Sequence, residues 1–443
     1  MHELQRTYRG SAFKEVNAEW DEQREHRSGL ERAIAVACLR QGEDEKARMG
    51  ELRELLRTAG ARIERAVVQR RDRPDPRTYL GRGRLEDLQE LVKRTAPDLV
   101  AVESELTPGQ QRALEDRLKT RVVDRTGIIL DIFAQHASSA EGKLQVELAQ
   151  LEYSYARQEG LWQHLERLGG GVGTRGPGES QLESDRRLIR QRMAVLRRRL
   201  RESERSRGIR RRRRAETAIP KVALAGYTNA GKSSLMNALS GADVDVNDAL
   251  FQTLDPTTRI VEPQGHRVLL SDTVGFVRDL PHQLVAAFRA TLEEVRDADL
   301  ILHVLDAAEP EEAREERIEA SVSVLAEIGA AEVPRLVVLN KIDLVDAERR
   351  RELSFREPDA VAVSAVTGEG LDDLRARLAD LSRGRLEPVS VLVPYTEGAL
   401  LSAIHRDGSE VHQESTPEGT RVRALLPPAA AGRVRAALAA LSE

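Results

Sequence analysis

The sequence predicts a multidomain α/β protein: a P-loop nucleotide domain, preceded by a small α/β domain with a long antiparallel helical hairpin and followed by a small C-terminal α/β domain. Three observations predict it. A phosphate-binding pattern directly follows an apolar run; further short polar signatures each close a later apolar run, in chain order; and two heptad-like apolar seams flank a glycine-rich break.

Composition sets the outer bounds. A chain of 443 residues has room for about three domains. With 40% hydrophobic, 32% charged and only 3% aromatic residues, it reads as helix-rich. No apolar run approaches the roughly 18 residues of a membrane span, and the charged start Met1-His2-Glu3-Leu4-Gln5-Arg6 is no signal peptide, so a cytoplasmic protein is expected. The single cysteine, Cys38, excludes a disulfide framework within the chain and reads as a buried small residue. Nine scattered histidines without cysteine partners form no zinc pattern.

Residues 1–28, charged and weakly periodic, read as an extension. From 29 to 135, apolar runs (63–68, 98–102, 122–123) alternate with amphipathic stretches (85–92, 110–118), the pattern of a small α/β domain. Its Gly81-Arg82-Gly83-Arg84 turn superficially suggests a phosphate loop, but a lone Gly-x-Gly is weak and a basic surface turn is the simpler expectation.

Between 136 and 215 the seam Leu144, Leu148, Leu151, Tyr155, Trp162, Leu165 predicts one long helix, and Leu182, Ile189, Met193, Leu196, Leu200 a second. They are expected to pair as an antiparallel hairpin. The break at 169–179 is too glycine-rich to be packed core and carries Arg175 at its tip. It is either a flexible linker or a loop that the hairpin delivers into an RNA pocket, where small residues permit close backbone approach. From Arg186 to Arg214 there are fifteen arginines against two glutamates, ending in Arg210, Arg211, Arg212, Arg213 and Arg214, although the whole chain carries only −4. Arginine suits planar, bidentate phosphate contacts, so an RNA partner is expected rather than a merely solvated face.

The nucleotide domain spans 216–384. After Val222-Ala223-Leu224-Ala225 comes Gly226-Tyr227-Thr228-Asn229-Ala230-Gly231-Lys232-Ser233, whose backbone N–H groups can converge on a di- or triphosphate. Such a pattern arises by chance in roughly one chain of this length in a hundred. Lys232 adds a cation near the outer phosphates, Ser233 can offer its hydroxyl to Mg2+, and a helix N-terminus follows. Asp272-Thr273-Val274-Gly275 ends the run 267–271; there a carboxylate can reach Mg2+ through water while the Gly275 N–H meets the third phosphate. Asn340-Lys341-Ile342-Asp343 ends another run, 336–339, and Asp343 can accept both the N1–H and the 2-amino hydrogens of guanine, donors that adenine lacks. Ser364-Ala365 is expected to complete the base pocket with N–H groups facing the guanine O6. The four signatures in this order specify a P-loop GTPase domain, with ligand groups gathered at the carboxyl ends of the strands.

Between the P-loop and Asp272, residues 250–259 form a polar, proline-broken stretch with the character of a switch loop. Thr253 is the chosen Mg2+ ligand, with Thr257 and Thr258 as competitors and turn capping as the plain alternative. Phe276 follows Gly275 where many small GTPases carry a water-orienting glutamine, and a phenylalanine cannot hydrogen-bond, so unaided hydrolysis is expected to be slow. Two substitutes suggest themselves. Asn229 can help hold a K+ ion against the phosphates, or can simply close the loop by local hydrogen bonds; a bound partner can order the switches. Lys232, Asn229, Thr253 and Gly275 are thus the candidate catalytic residues. Residues 385–443 alternate short strands and helices and predict the compact C-terminal domain.

One resemblance is specific. The stretch from Gly170 to Arg187 (GGVGTRGPGESQLESDRR), with Asp124-Arg125-Thr126 and the P-loop, resembles the HflX-type GTPases over roughly residue 60 to the end. It implies an HflX domain of α/β and hairpin parts, a G domain and a small C-terminal domain. It also implies GTP and GDP as ligands, binding to the large ribosomal subunit and its RNA, and, as in characterised members, separation of stalled or idle ribosomes. Carried over, it assigns Mg2+ to Ser233 and Thr253. It assigns GTP to the P-loop, to Phe251, Gln252, Thr253, Leu254 and Asp255, to 272–275, to 340–343, and to Ser364, Ala365 and Val366. Ser180 and Ser184 stand where threonine is frequent and Arg84 where lysine is usual; hydroxyl and charge are kept. A monomer is expected. The alternatives are a GTPase component of an RNA-modification system, which would want a reactive cysteine near the C-terminus where this chain has none, and an RNA-binding scaffold with a dead nucleotide site.

Overall fold

Parallel strands that are covered on both faces need near-continuous apolar sequence, and β1 (Glu31–Leu39) has it, with seven consecutive buried residues. The computed structural model describes residues 29–168, 186–203, 219–241, 250–251, 253–278 and 289–441. It divides into two compact units, Met1–Leu200 and Arg201–Glu443.

In the first unit, β1 pairs in parallel with β2 (Ala61–Arg70) and β3 (Leu99–Val102), and β4 (Arg121–Asp124) extends the sheet to the order β2-β1-β3-β4. Helices Glu45–Thr58, Arg82–Thr95 and Pro108–Leu118 connect the strands. The last starts at a capping box: the Thr107 hydroxyl accepts the Gln110 N–H and the Gln110 side chain accepts the Thr107 N–H, with Pro108 where a helix tolerates a missing donor. Cys38 lies in the core, where burial pushes its thiol up, as expected of an inert small residue. The Gly81–Arg84 turn is the N-terminus of helix Arg82–Thr95, and Arg84 donates to the Val68 carbonyl.

Asp124 ends β4 and caps helix Arg125–His136 through the Gly127 N–H. The same carboxylate accepts the Tyr153 hydroxyl and the Arg157 guanidinium, tying helix Ala140–Leu168 to the end of the sheet. Leu151, Ile189, Met193 and Leu196 form the buried seam between that helix and the one covering 186–203, with Leu144, Leu148 and Tyr155 against it. The sense is antiparallel: Tyr155 faces Arg186 and Arg190, while Glu147, earlier in the first helix, pairs with Arg192, later in the second. Arg197 and Glu152 brace the seam diagonally. Arg175, Leu182 and Arg210 to Arg214 lie outside the described residues, as do the side chains of Trp162 and Leu165.

The second unit is built on a six-stranded sheet of order β10-β9-β8-β5-β7-β6. Its strands are β5 (Lys221–Ala225), β6 (Thr257–Val261), β7 (Val268–Asp272), β8 (Leu300–Asp306), β9 (Arg335–Asn340) and β10 (Val361–Ala362). All neighbours are parallel except β6, which runs antiparallel to β7. Here the sequence expectation is corrected: Thr257, Thr258 and Arg259 are not switch loop but the start of β6, opposite Asp272, Ser271 and Leu270. The β-branched run Thr-Thr-x-Ile-Val suits a strand once a partner edge is present. Past helix Leu371–Arg383, a three-stranded antiparallel sheet of order β11-β13-β12 (Glu387–Val393, Gly419–Leu426, Ser409–Thr416) packs helices Gly398–Asp407 and Pro428–Ala440 around its own core. Arg383, at the end of helix Leu371–Arg383, pairs with Glu410 of β12, and Arg385, just before β11, pairs with Asp299, just before β8. Among the described residues, no helix is long and apolar enough to cross a membrane.

Candidate functional site

The carboxyl ends of β5, β7, β8 and β9 lie side by side: Leu224 is level with Asp272, and Asp306 with Asn340. Four polar segments from distant parts of the chain therefore open at one rim. β5 delivers the P-loop, which turns through Asn229 in the left-handed region with its side chain exposed, and through Gly231 at φ 87°. A Cβ on Gly231 would stand 2.3 Å from the Asn340 amide nitrogen, so no other residue fits there.

Helix Lys232–Ser240 begins at the next residue, aiming its first N–H groups at the loop's concavity. The Lys232 amine donates to the carbonyls of Tyr227 (2.8 Å) and Gly226 (3.1 Å). Burial pushes its pKa down to about 8, with the charge of Asp272 acting the other way. A cation kept from water and bound only to neutral carbonyls is poised for a stronger anionic acceptor.

Beside it three oxygens converge. The Ser233 hydroxyl donates to Asp272 Oδ2 at 2.7 Å, the Thr253 hydroxyl donates to the same oxygen at 2.7 Å, and the two hydroxyls are 3.0 Å apart. Asp272 Oδ1 is buried without a hydrogen-bond partner among the described residues. Two hydroxyls and a half-satisfied carboxylate on one point fit a small hard cation such as Mg2+. Thr257 and Thr258 are on β6, where Thr258 bonds to Ser271. Thr273 donates to the Leu224 carbonyl, fixing the turn after β7. Gly275 runs so close to the P-loop that a Cβ would stand 2.9 Å from both Lys232 Nζ and Thr228 Cα. Val274 is buried, as are Phe251 and Leu254 around Thr253, with Asp255 partly exposed; Gln252 lies outside the described residues.

Phe276 points into the core with no exposed surface, and its backbone is zipped to the P-loop: its N–H donates to the Gly226 carbonyl and its carbonyl accepts the Thr228 N–H.

At the other end of the rim, Asn340 is a strut. Its amide nitrogen donates to the Ala230 carbonyl at 2.9 Å, and its oxygen accepts the Ala365 N–H at 3.1 Å, bracing the P-loop against the segment after β10. Lys341, in the left-handed region, pairs with Asp306 at 2.7 Å, and Ile342 is buried. Asp343 is exposed on the turn Ile342–Leu344. The Ser364 N–H donates to the Glu369 carbonyl, so both it and the Ala365 N–H are engaged within the protein, while Val366 is exposed. The bracing role of Asn340 and the Lys341–Asp306 pair were not foreseen from sequence. An aspartate closing the apolar run of β8 was the available signal for the second; nothing local signalled the first.

The class of protein follows from this arrangement: a P-loop, a hydroxyl–carboxylate cluster beside its lysine, a glycine packed against that lysine and Thr228, and an Asn-Lys-Ile-Asp turn make a GTPase fold. Residues 221–341 match the family model described as 50S ribosome-binding GTPase, and residues 46–134 and 136–214 match the N-terminal and middle-region models of GTP-binding GTPases. The chain is 47% identical to GTPase HflX of Caldanaerobacter subterraneus subsp. tengcongensis, over 89% of this chain and 90% of the relative. It is 43% identical to GTPase HflX of Escherichia coli over 85% and 88% respectively. This chain belongs to the HflX family of GTPases, and its activity is GTP hydrolysis. A solved structure described as the SsGBP and GDP complex is similar over 80% of this chain and 99% of that chain, at 25% identity and a TM-score of 0.44; the assignment does not rest on it.

Proposed function

We propose that this GTPase binds the large ribosomal subunit in the cytoplasm as a single copy, and that GTP binding and hydrolysis let it split or rescue ribosomes. The observation that supports this best is the Ser233–Thr253–Asp272 cluster beside Lys232, in a chain whose G region matches a 50S ribosome-binding GTPase model.

In this proposal the N–H groups of 227–233 receive the α- and β-phosphates and Lys232 turns its ammonium to the outer ones. Ser233, Thr253 and Asp272 would hold Mg2+, which would supply positive charge against the outer phosphates. The Gly275 N–H reads the third phosphate. Asp343 pairs with the guanine edge, Asn340 keeps the base segment and the P-loop in register, and the Ala365 N–H exchanges Asn340 for guanine O6. Water attacks the third phosphate without a covalent intermediate. Because Phe276 faces the core, positioning of that water falls to other groups: the exposed Asn229, assisting a K+ ion against the phosphates, and the ribosomal partner. Arg175 and Arg210 to Arg214 contact ribosomal RNA.

The test is GTP turnover and co-sedimentation with purified large subunits, small subunits and whole ribosomes, in K+ and in Na+. Stimulation by large subunits is expected; its absence would sink the proposal. Neutralising Arg210 to Arg214 should lower affinity for large subunits and flatten its salt dependence by up to about five counterions' worth of slope, leaving GTP affinity unchanged. Ribosome affinity equal to wild type would refute the RNA role of that run.

A further inference from the structure

Tyr227 occupies a variable position of the P-loop, yet the residue is only 4% exposed and its side chain is engaged with the segment after Gly275. Its hydroxyl accepts the Arg278 N–H at 2.6 Å. Its ring lies under the Arg317 guanidinium, 4.7 Å from carbon to centroid, on helix Glu311–Glu327, and Arg317 is itself paired with Glu309. Arg278 reaches the same helix through Glu316 at 3.0 Å.

The segment that begins at Gly275 is thus fastened to the P-loop at two successive points. At Phe276 the fastening is backbone to backbone, in a parallel bridge with Tyr227. At Arg278 the P-loop's contribution is a side chain, the Tyr227 hydroxyl. Gly275 stands one residue before the first point, at contact distance from Lys232 and Thr228. Any displacement of Gly275 toward or away from a third phosphate pulls on Phe276 and Arg278, so the energy of that displacement depends on the hydroxyl bond. A GDP occupant makes no such demand, because it lacks the group that Gly275 reads.

We infer that Tyr227 is a positioning residue for third-phosphate recognition: through its hydroxyl it sets the segment from Gly275 to Arg278 at the distance that tells GTP from GDP, and through its ring it couples that segment to helix Glu311–Glu327. Its side chain does not contact the nucleotide. The inference rests on the GTP-site assignment proposed above.

Tyr227→Phe removes one oxygen and keeps the ring, so the P-loop should stay folded. Loss of one buried hydrogen bond predicts that the ratio of affinities for a non-hydrolysable GTP analogue and for GDP falls about five-fold. GDP affinity should fall by less than affinity for the GTP analogue, and amide exchange at Arg278 should quicken by a similar factor. Arg317→Ala, which strips the cation from the ring but leaves the hydroxyl, should shift the same ratio in the same direction and by less. An unchanged ratio in Tyr227→Phe would overturn the inference, as would equal losses for both nucleotides, the sign of a packing role only. If the unaltered protein itself fails to discriminate the two nucleotides, the fault lies with the GTP-site assignment instead.

Discussion

Asp343→Asn should lower GTP affinity by about 100-fold or more and raise affinity for xanthosine triphosphate, with hydrolysis of the xanthine nucleotide restored toward the unaltered rate. A carboxylate accepting two guanine hydrogens has no substitute once it becomes an amide, whose NH2 meets the base's own donors; leaving such groups unpaired is the reason sites built on hydrogen bonds discriminate by several orders of magnitude. Xanthine carries an oxygen where guanine carries the amino group, so the asparagine NH2 regains an acceptor. Asp343 is exposed on the turn Ile342–Leu344, with its backbone fixed by the buried Ile342, whose N–H donates to the Val363 carbonyl. The substitution should therefore leave thermal unfolding unchanged. Competition binding with the two nucleotides decides the matter: equal GTP affinity in variant and parent would remove Asp343 from the base pocket.

Gly275→Ala should abolish GTP hydrolysis, by about 100-fold or more, while GDP affinity changes only a few-fold. The added methyl would stand 2.8 Å from Thr228 Cγ2 and 2.9 Å from both Thr228 Cα and Lys232 Nζ. The lysine tip can swing aside, but the Thr228 backbone is pinned to Phe276 by a 2.7 Å hydrogen bond, so the segment itself must shift away from the P-loop. A backbone donor displaced by several tenths of an ångström no longer meets the charge that develops on the third phosphate, and one such donor is commonly worth two to three orders of magnitude in turnover. Single-turnover kinetics with both nucleotides checks this; turnover near the parent rate would show that Gly275 plays no part in sensing the third phosphate.

These two residues were singled out in the sequence for the same reason. Each belongs to a short motif whose chemistry resides in backbone N–H groups or in one side chain at a strand end, so spacing alone fixes its surroundings. The hairpin seam was equally legible, because helical periodicity puts Leu144, Leu148, Leu151 and Tyr155 on one face whatever lies opposite. Thr253, Thr257 and Thr258 differ: three threonines within six residues are chemically interchangeable, and only the antiparallel pairing of β6 with β7 withdraws the last two from Ser233 and Asp272.

Side-chain direction was the other blind spot. Asn340 was assigned with its motif, but its role as a brace depends on Ala230 and Ala365, 110 and 25 residues away in the chain. Phe276 was identified as unable to orient water, yet whether it bordered the phosphate site or the core depended on how the segment after Gly275 zips to Gly226 and Thr228. Tyr227 filled a position that the motif leaves free, and its partners Arg278 and Arg317 are 51 and 90 residues further along.

The sequence by itself determined that this protein is a P-loop GTPase with an Asn-Lys-Ile-Asp turn at a strand end and a helical hairpin, because those features follow from local backbone geometry and periodicity. The tertiary structure alone decided which threonine meets Ser233 and Asp272, that the segment after Gly275 is fastened by a tyrosine, and that the residue after Gly275 is buried. Each of those depends on contacts between segments far apart in sequence, and local pattern carries no information about which way a side chain turns when several distant partners compete for it.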